Sequence, residues 1–284
     1  MRIAISGGTG FLGRPLAAAL AAAGHQSVAL PRNRTGWANA IDGAAAVVNL
    51  AGEPIAAQRW TAAHKTRVLE SRVQVTRTIV EAIHQAASPP AVLVSGSAVG
   101  YYGPRGDETV TEDTPAGSDF LASVCVQWEA EATRAADRSR VVCVRTGLVL
   151  ERDGGALPQM LPPFKFGVGG PVGSGRQYWP WIHRSDWVAL VQWAIATSSV
   201  TGALNATAPT PITNAEFARA LGRALHRPAF MPAPAFALRL LLGEMADGLL
   251  LSGQRAVPAK AQRLGFTFRY SQIDQALTEI FQRR

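Results

Sequence analysis

The sequence predicts a doubly wound α/β fold, in which helices cover both faces of a parallel sheet. Three observations point to it. Short apolar runs alternate with amphipathic helical stretches through the first half of the chain, which is the rhythm of βαβ units. A glycine-rich turn joins the first apolar run to the first helical stretch. Apolar residues make up 48% and charged residues 17% of the 284 residues, which is typical of a compact soluble domain and not of a disordered chain.

The apolar runs of the first half predict strands at residues 2–6, 26–30, 44–52, 91–97 and 140–150. Helices are expected between them, at 15–24, 61–87 and 117–132. The long second helix should end before Pro89, because proline cannot continue a helix.

The second half of the chain begins with a change in composition. Residues 151–181 are rich in glycine and proline and predict a shaped loop region without regular helix. Helices are expected again at 183–198 and at 211–225, where Thr213 or Asn214 suits the N-cap. The end of the chain is expected to be helical apart from residues 265–270.

The turn after the first strand reads GGTGFLG and carries glycines at positions 7, 10 and 13. A dinucleotide pyrophosphate needs this spacing, because the chain must turn sharply, offer bare backbone and pack a helix closely on the sheet. A plain strand-to-helix turn can produce the pattern by chance, but the βαβ context favours a cofactor loop. We predict cofactor contacts from six of its residues: Gly7, Thr9, Gly10, Phe11, Leu12 and Gly13.

The second strand ends at Leu30, where dinucleotide-binding folds place the group that meets the adenosine ribose. An acidic residue there suits NAD and an arginine suits the 2′-phosphate of NADP. This chain offers Arg32 and Arg34, which can bind a phosphate through charge-assisted hydrogen bonds. The sequence therefore favours NADP, with NAD as the alternative if both are only solvated loop arginines.

Composition argues against several other classes. The net charge is +8, but the basic residues are scattered, which speaks against nucleic-acid binding. No run of about 18 apolar residues or signal peptide is found, so no membrane association is expected. Cys125 and Cys143 are too few and too far apart for a metal site or a disulfide scaffold, which favours a reducing cytoplasm.

Several motifs resemble the extended short-chain dehydrogenase/reductase superfamily: GGTGFLG, NLAG at 49–52, SGSAVGYYG at 95–103 and WIHRSDW at 181–187. The resemblance is greater to its atypical epimerase-like branch, relatives of the NAD-dependent epimerases and dehydratases that carry a carboxy-terminal domain of unknown function. It rests on AGEPIAAQRWT at 51–61, SRVQVTR at 71–77 and the segment 240–266, among others, and it covers nearly the whole chain.

This resemblance implies an NAD(P)-binding domain of residues 1–150 with about 182–205, and a smaller substrate-side domain of 151–181 and 206–284. It also implies a cofactor cleft lined by residues after the third and fourth strands and by the long helix: Leu50, Ala51, Gly52, Arg72, Ser95 and Gly96.

The superfamily's catalytic pair, Tyr-x-x-x-Lys, is missing. By order and spacing, Leu121 and Cys125 stand where the tyrosine and lysine would fall, and no such pair occurs elsewhere in the chain. In the superfamily the lysine lowers the pKa of the tyrosine so that it can move a proton. The helix at 117–132 is therefore expected to occupy the superfamily's position in the fold without the tyrosine and lysine that act as acid and base.

Four other residues are candidates for the lost role. Ser97 matches the superfamily's hydroxyl at the end of the fourth strand, although a turn serine bonded to backbone is an equal alternative. Tyr101 and Tyr102 offer phenols near the same rim. His183 can titrate near neutrality, although a packed histidine is the commoner outcome.

The acidic residues near that helix (Glu112, Asp119 and Glu129) have no readable partner and are expected to be caps or surface charges. The glycine-rich stretch from Gly169 to Arg176 can admit an anionic substrate or simply bridge two domains.

Together these features predict an NADP-binding, epimerase-like oxidoreductase that acts on an unidentified polar small molecule, which can be anionic. The alternative is a dinucleotide-binding sensor or scaffold without turnover. An ordinary nucleotide-sugar epimerase is disfavoured by the missing pair. The sequence does not indicate whether the protein is a monomer or an oligomer.

Overall fold

The computed structural model describes residues 1–282 as a six-stranded parallel sheet with helices on both faces. The strands are β1 (Arg2–Ser6), β2 (Gln26–Leu30), β3 (Ala46–Asn49), β4 (Val92–Ala98), β5 (Thr109–Val110), β6 (Arg140–Thr146), β7 (Leu148–Leu150), β8 (Trp181–His183), β9 (Gly202–Ala206) and β10 (Arg255–Ala256).

The helices are α1 (Gly13–Ala22), α2 (Trp37–Ile41), α3 (Ala62–Gln85), α4 (Phe120–Thr133), α5 (Leu157–Lys165), α6 (Arg184–Ala196), α7 (Asn214–Leu225), α8 (Ala235–Leu242), α9 (Glu244–Ala246), α10 (Ala259–Arg263) and α11 (Ile273–Gln282). A 3₁₀ turn covers Val99–Tyr102, and a π-helical turn at Asp247–Leu251 continues α9. Among the described helices, none is long and apolar enough to cross a membrane.

The order of the main sheet is β2-β1-β3-β4-β6-β9, and every neighbouring pair is parallel. The chain leaves β1 toward β2 and then returns to place β3 on the other side of β1. In such sheets ligands bind beyond the carboxyl ends of the strands where the order reverses. The glycine turn after β1 and the segment after β3 meet at this point. This confirms the predicted doubly wound fold class.

Alternation along the strands supplies a core on each face of the sheet, because successive side chains of a strand point to opposite sides. In β1, Ile3 and Ile5 join a cluster under α1 and α6, whereas Ala4 joins the cluster under α2, α3 and α4.

A separate core lies away from this sheet. It is built from Leu157 and Phe164 of α5, Phe217 of α7 and Ile280 of α11, with neighbours drawn mostly from residues 148–181 and 208–281. The two-domain division stays a prediction, and a separate core built largely from these segments is consistent with it.

Most of the predicted elements are confirmed by the structure. Helix α3 ends ahead of Pro89, and Thr213 caps α7 in a capping box with Glu216. Three predictions are wrong. The end of the chain, expected to be helical apart from residues 265–270, contains strand β10 (Arg255–Ala256), which pairs with β5. Residues 151–181 do contain a helix, α5, because Leu157, Leu161 and Phe164 bury one face in spite of two internal prolines.

The predicted single strand at 140–150 is also wrong, because it splits at Gly147 into β6 and β7. A Cβ atom at Gly147 would lie 2.5 Å from the carbonyl oxygen of Pro180. The chain therefore leaves the main sheet at this glycine, and β7 pairs with β8 instead.

Candidate cofactor and substrate site

The turn between β1 and α1 is a tight backbone cradle that only glycine can form. Gly7 has a φ of +72°, and a Cβ atom there would lie 2.9 Å from the carbonyl carbon of Leu50. The amide of Gly10 donates to the carbonyl of Gly7 at 3.0 Å. A Cβ atom at Gly13 would lie 2.2 Å from that same carbonyl oxygen. Helix α1 begins here without a side-chain cap. The Arg14 amide donates to the Gly10 carbonyl at 3.1 Å and Pro15 has no amide proton, so the amides left for a phosphate at this end are those of residues 11–13.

A cavity of about 1890 Å³ opens at this edge of the sheet. Ordinary small-molecule pockets measure about 300–1,000 Å³, so the cavity has room for a dinucleotide and a second molecule. Most of the predicted cofactor residues line it: Gly7, Thr9, Gly10, Phe11, Leu12, Gly13, Arg32, Arg34, Leu50, Ala51, Gly52, Arg72 and Gly96. The structure thus brings together residues that are up to 89 positions apart, from Gly7 to Gly96.

Ser95 does not line the cavity with these residues. It lies within the paired part of β4, opposite Asn49 and Cys143, and is fully buried. Its hydroxyl donates to the carbonyl of Gly96 at 3.3 Å. The expectation that Ser95 contacts the cofactor therefore has no geometric support, because the sheet covers it.

Two arginines lie on the exposed rim beyond β2. Arg34 adopts a left-handed backbone conformation with φ of 61°, and its Nη1 donates to Thr78 Oγ1 at 3.3 Å. Arg32 is exposed beside it and lines the same cavity. Both guanidinium groups belong to the same rim, as a 2′-phosphate requires.

Arg72 lies deeper, on α3. Its Cζ is 3.2 Å from the position of a Cβ atom at Gly52 and 5.3 Å from the ring centre of Trp128. Its Nη1 donates to the carbonyl of Val68 at 2.8 Å. Burial lowers the pKa of this guanidinium. Arg72 therefore forms a cationic part of the cavity wall, on the cofactor side.

The helix that would carry the usual catalytic pair faces the cavity with inert side chains. Leu121 and Cys125 of α4 both line the wall. Burial raises the pKa of the Cys125 thiol to about 11, and the thiol donates to the carbonyl of Ala98 at 3.6 Å. A neutral thiol stands where a lysine was sought, so this position cannot lower the pKa of a neighbouring phenol.

Ser97 is the polar group that faces the cavity at the end of β4. It is only 4% exposed, and its hydroxyl donates to Glu129 Oε1 at 2.6 Å. Arg145 holds the same carboxylate with two hydrogen bonds of 2.8 Å, one to each oxygen. Ser97 and Arg145 are direct register partners on β4 and β6, and Glu129 of α4 bonds both.

Because an ionised carboxylate only accepts hydrogen bonds, the proton of Ser97 is committed to Glu129. The lone pairs of Ser97 Oγ are then left for a ligand. Burial acts to lower the pKa of Arg145, but the hydrogen bonds that Arg145 donates to Glu129 and Tyr102, together with the charges of these two groups, outweigh burial and the net pKa is raised. Glu129 was expected to be a cap or surface charge, and that expectation is wrong: its side chain is 13% exposed and paired. Glu129 follows Leu121 and Cys125 at intervals of four residues, which places all three on one face of α4. This spacing could have indicated from the sequence that Glu129 points toward the same site.

Tyr101 and Tyr102 contact Arg145 and do not line the cavity. The Tyr102 hydroxyl donates to Asn205 Oδ1 at 2.6 Å and accepts from Arg145 Nη1 at 3.0 Å. Burial raises the pKa of Tyr102 to about 12. The ring centre of Tyr101 lies 3.4 Å from Arg145 Cζ. Both rings pack against the guanidinium instead of meeting a substrate.

His183 also lies away from the cavity lining. It is fully buried and caps α6, with Nδ1 accepting from the amide of Ser185 at 3.1 Å. Its Nε2 lies 3.0 Å from Glu279 Oε2, and burial lowers its pKa. Catalytic roles for Tyr101, Tyr102 and His183 stay predictions without geometric support, because each side chain is committed to a structural contact.

The far wall of the cavity was not foreseen from the sequence. It is formed by α5, α8 and the turns around them, including Met160, Phe164, Leu238, Leu242 and Met245. Tyr178, in the loop before β8, brings a phenol to this wall, and Arg255 Cζ lies 5.3 Å from its ring centre.

This chain belongs to the NAD dependent epimerase/dehydratase family. The model of that family matches residues 3–206, which include the glycine turn, Ser97 and the β4–β6 pair. A second family model, described as a domain of unknown function, matches residues 233–280, which contain α8 and most of α11.

Individual relatives cover the whole chain. Epimerase family protein SDR39U1 of Bos taurus is 41% identical over 99% of this chain and 99% of its own length. A chloroplastic homolog of SDR39U1 from Arabidopsis thaliana is 40% identical over 99% of this chain and 87% of its own length. A crystal structure of human SDR39U1 with NADPH superposes with a TM-score of 0.94 and 37% identity, covering all of both chains. Because one relative is named chloroplastic, a cytoplasmic location stays a prediction for this chain.

Proposed function

We propose that this chain is an NADP(H)-dependent oxidoreductase of the epimerase/dehydratase family that holds a substrate oxygen at Ser97. One observation carries the proposal: Ser97 lines the cavity while its proton is committed to a carboxylate that Arg145 fixes in place. A second observation supports the cofactor. The backbone cradle at Gly7 has no room for a side chain, and the human relative was crystallised with NADPH.

The residues that would hold the dinucleotide are among those that line the cavity. Apart from the Gly10 amide, which donates to the Gly7 carbonyl, the amides of the turn from Gly7 to Gly13 would meet the pyrophosphate, and Arg32 and Arg34 suit a 2′-phosphate. When bound, NADPH supplies a hydride, and its oxidised form accepts one.

The chain's own residues contribute orientation and a path for a proton. Ser97 Oγ can accept a hydrogen bond from a substrate hydroxyl, because its own proton points to Glu129. As that hydroxyl loses its proton to Ser97, Ser97 can pass its own proton to the carboxylate of Glu129. Arg145 and Glu129 are positioning residues in this scheme, and Ser97 is the catalytic residue.

The proposal is tested with the purified full chain in three steps. Calorimetry compares NADPH with NADH, and we expect tighter binding of NADPH. A panel of alcohols with NADP⁺ is then followed by nicotinamide fluorescence. For any alcohol that is oxidised, we expect Ser97→Ala to lower kcat by more than about tenfold while NADPH affinity stays unchanged, since general acid–base groups contribute about 10²–10⁴-fold.

Glu129→Gln tests the positioning pair, because the amide nitrogen cannot accept the hydrogen bond that Arg145 donates to the second carboxylate oxygen. We expect a loss of kcat and an altered pH profile with unchanged NADPH affinity. Glu131→Gln is the matched control, because Glu131 lies on the same helix and pairs with Arg77 and Arg134 instead. Equal kcat for Ser97→Ala and the unmodified chain would overturn the proposed role of Ser97.

A dinucleotide-binding sensor without turnover is the second candidate. The neutral Cys125 thiol, with its pKa raised to about 11, favours it, because the usual acid/base pair is absent. Tight NADPH binding with no oxidation of any alcohol and no reduction of any carbonyl in the panel would favour this function over the first.

A further inference from the structure

The charged side chains of the cavity wall are confined to its cofactor side. Among the described residues that line the cavity, the charged ones are Arg32, Arg34, Glu53 and Arg72. Every lining residue after Arg72, from Val75 to Gln254, is uncharged. The part of the cavity beyond Ser97 therefore offers no ionic partner from its lining.

The wall in that part is apolar over several elements. Its side chains come from α5, from α8, and from α9 with the turn that follows it: Met160, Phe164, Leu238, Leu242, Met245 and Leu249. Arg255 does not line the cavity, although its Cζ lies 5.3 Å from the ring centre of Tyr178. The charges on α8 and α9 are paired. Lys65 Nζ contacts the Glu244 carboxylate, and Arg239 Nη2 lies 2.9 Å from Asp247 Oδ1.

The glycine-rich stretch, for which the sequence left an anion site and a bridge between domains as alternatives, has glycines at close backbone and ring contacts. A Cβ atom at Gly170 would lie 2.1 Å from the carbonyl oxygen of Met231, and one at Gly169 would lie 2.5 Å from the Phe164 ring. Arg176 is exposed and does not line the cavity. The stretch therefore brings no cation to the wall.

Helix α8 extends this apolar surface to the outside. Leu238 and Leu242 line the cavity, while Leu240 and Leu241 of the same helix are 79% and 68% exposed. None of the α8 residues is buried. An apolar molecule thus meets apolar side chains from the protein surface to the interior.

These observations decide which ligand the cavity can hold. A charged group taken from water needs a partner, and this wall has none to offer, whereas each buried methylene contributes favourably. We propose that the substrate-side part of the cavity binds an uncharged, largely apolar alcohol or ketone, with its oxygen at Ser97. The inference rests on the proposed function and replaces the polar substrate expected from the sequence.

The test uses the full chain with an uncharged fluorescent probe, N-phenyl-1-naphthylamine, displaced by n-hexanol, n-octanol, n-decanol or UDP-glucose. We expect the alkanol affinity to rise about fourfold with each methylene, and UDP-glucose to leave the probe bound. Displacement by UDP-glucose, or no dependence on chain length, would overturn the inference.

Two variant pairs locate the site. Leu242→Lys should weaken decanol binding by more than about tenfold, because it places a charge on the wall. Leu241→Lys is the matched control on the same helix and should have no effect. If Leu242→Lys does not fold, Leu238→Lys with the control Leu240→Lys makes the same comparison. Equal losses in both members of a pair would contradict the proposed location.

Energy transfer from tryptophan to NADPH, measured in the same samples, separates the two proposals. NADPH binding without alkanol binding overturns this inference and leaves the proposed function standing. Alkanol binding without NADPH binding overturns the proposed function and leaves an apolar pocket.

Discussion

The substitution Gly13→Ala tests how closely α1 must approach the cofactor turn. The added Cβ atom would lie 2.2 Å from the carbonyl oxygen of Gly7 and 2.7 Å from the Cα atom of Gly8. Close carbon–oxygen contacts in proteins are about 3.3 Å or longer, so the helix and the turn must separate by about 1 Å. Both obstructing atoms are backbone, and no side-chain rotation can relieve them.

Two opposing effects determine the change in stability. Alanine has a higher helix propensity than glycine, by up to about 1 kcal/mol. Overpacking in a well-packed region costs about 1–3 kcal/mol. With a contact this short we expect the steric cost to win, and the free energy of unfolding to fall by about 1–2 kcal/mol. In a chain of this size that lowers Tm by roughly 2–3 °C.

The assays are thermal unfolding by circular dichroism and NADPH titration by calorimetry. We expect NADPH affinity to fall by more than about tenfold, which is the loss of about one good hydrogen bond. Gly8→Ala is the control for folding, because its Cβ atom would meet its nearest neighbour at 3.6 Å. If Gly13→Ala melts at or above the unmodified protein and binds NADPH equally well, the reasoning from close packing is refuted.

Two further predictions concern the cofactor rim and the buried thiols. Replacing Arg32 and Arg34 by serine should reduce the preference for NADPH over NADH by at least about tenfold in calorimetry, because charge-assisted phosphate bonds are lost; an unchanged preference would place the 2′-phosphate elsewhere. Cys125 and Cys143 have pKa values raised to about 11 and about 12 by burial. At pH 8 the reaction with a disulfide reagent should be slower than that of a free thiol by on the order of 100-fold for Cys125 and on the order of 1,000-fold for Cys143, because the thiolate fraction falls with each unit of pKa, and both rates should rise toward higher pH; rapid labelling of the folded protein at pH 8 would contradict this.

The elements that the sequence predicted well are those whose signal is local. The alternation in β1 assigns Ile3 and Ile5 to one face of the sheet and Ala4 to the other. The proline signal after α3 and the capping residues of α7 act within a few positions. The glycine spacing of the cofactor turn is a local demand of backbone geometry in the same way.

The wrong predictions involve burial against distant residues. Helix α5 was missed because its prolines suggest a loop, whereas its stability comes from burying Leu157, Leu161 and Phe164 in a core shared with α7 and α11. For His183 the sequence left both an acid/base role and a packed histidine open, and its partner Glu279, 96 positions away, could not be read from the sequence. No local pattern reports such contacts.

The amino-acid sequence by itself determined the parallel fold, the backbone cradle after β1 and the loss of the usual catalytic pair, because strand periodicity, turn glycines and missing residues can be read within short windows. Only the tertiary structure decided that Glu129 bonds both Ser97 and Arg145, and that an uncharged wall faces them across the cavity. These features depend on which side chains a helix and two neighbouring strands bring together, and that is set by packing over long separations in the chain.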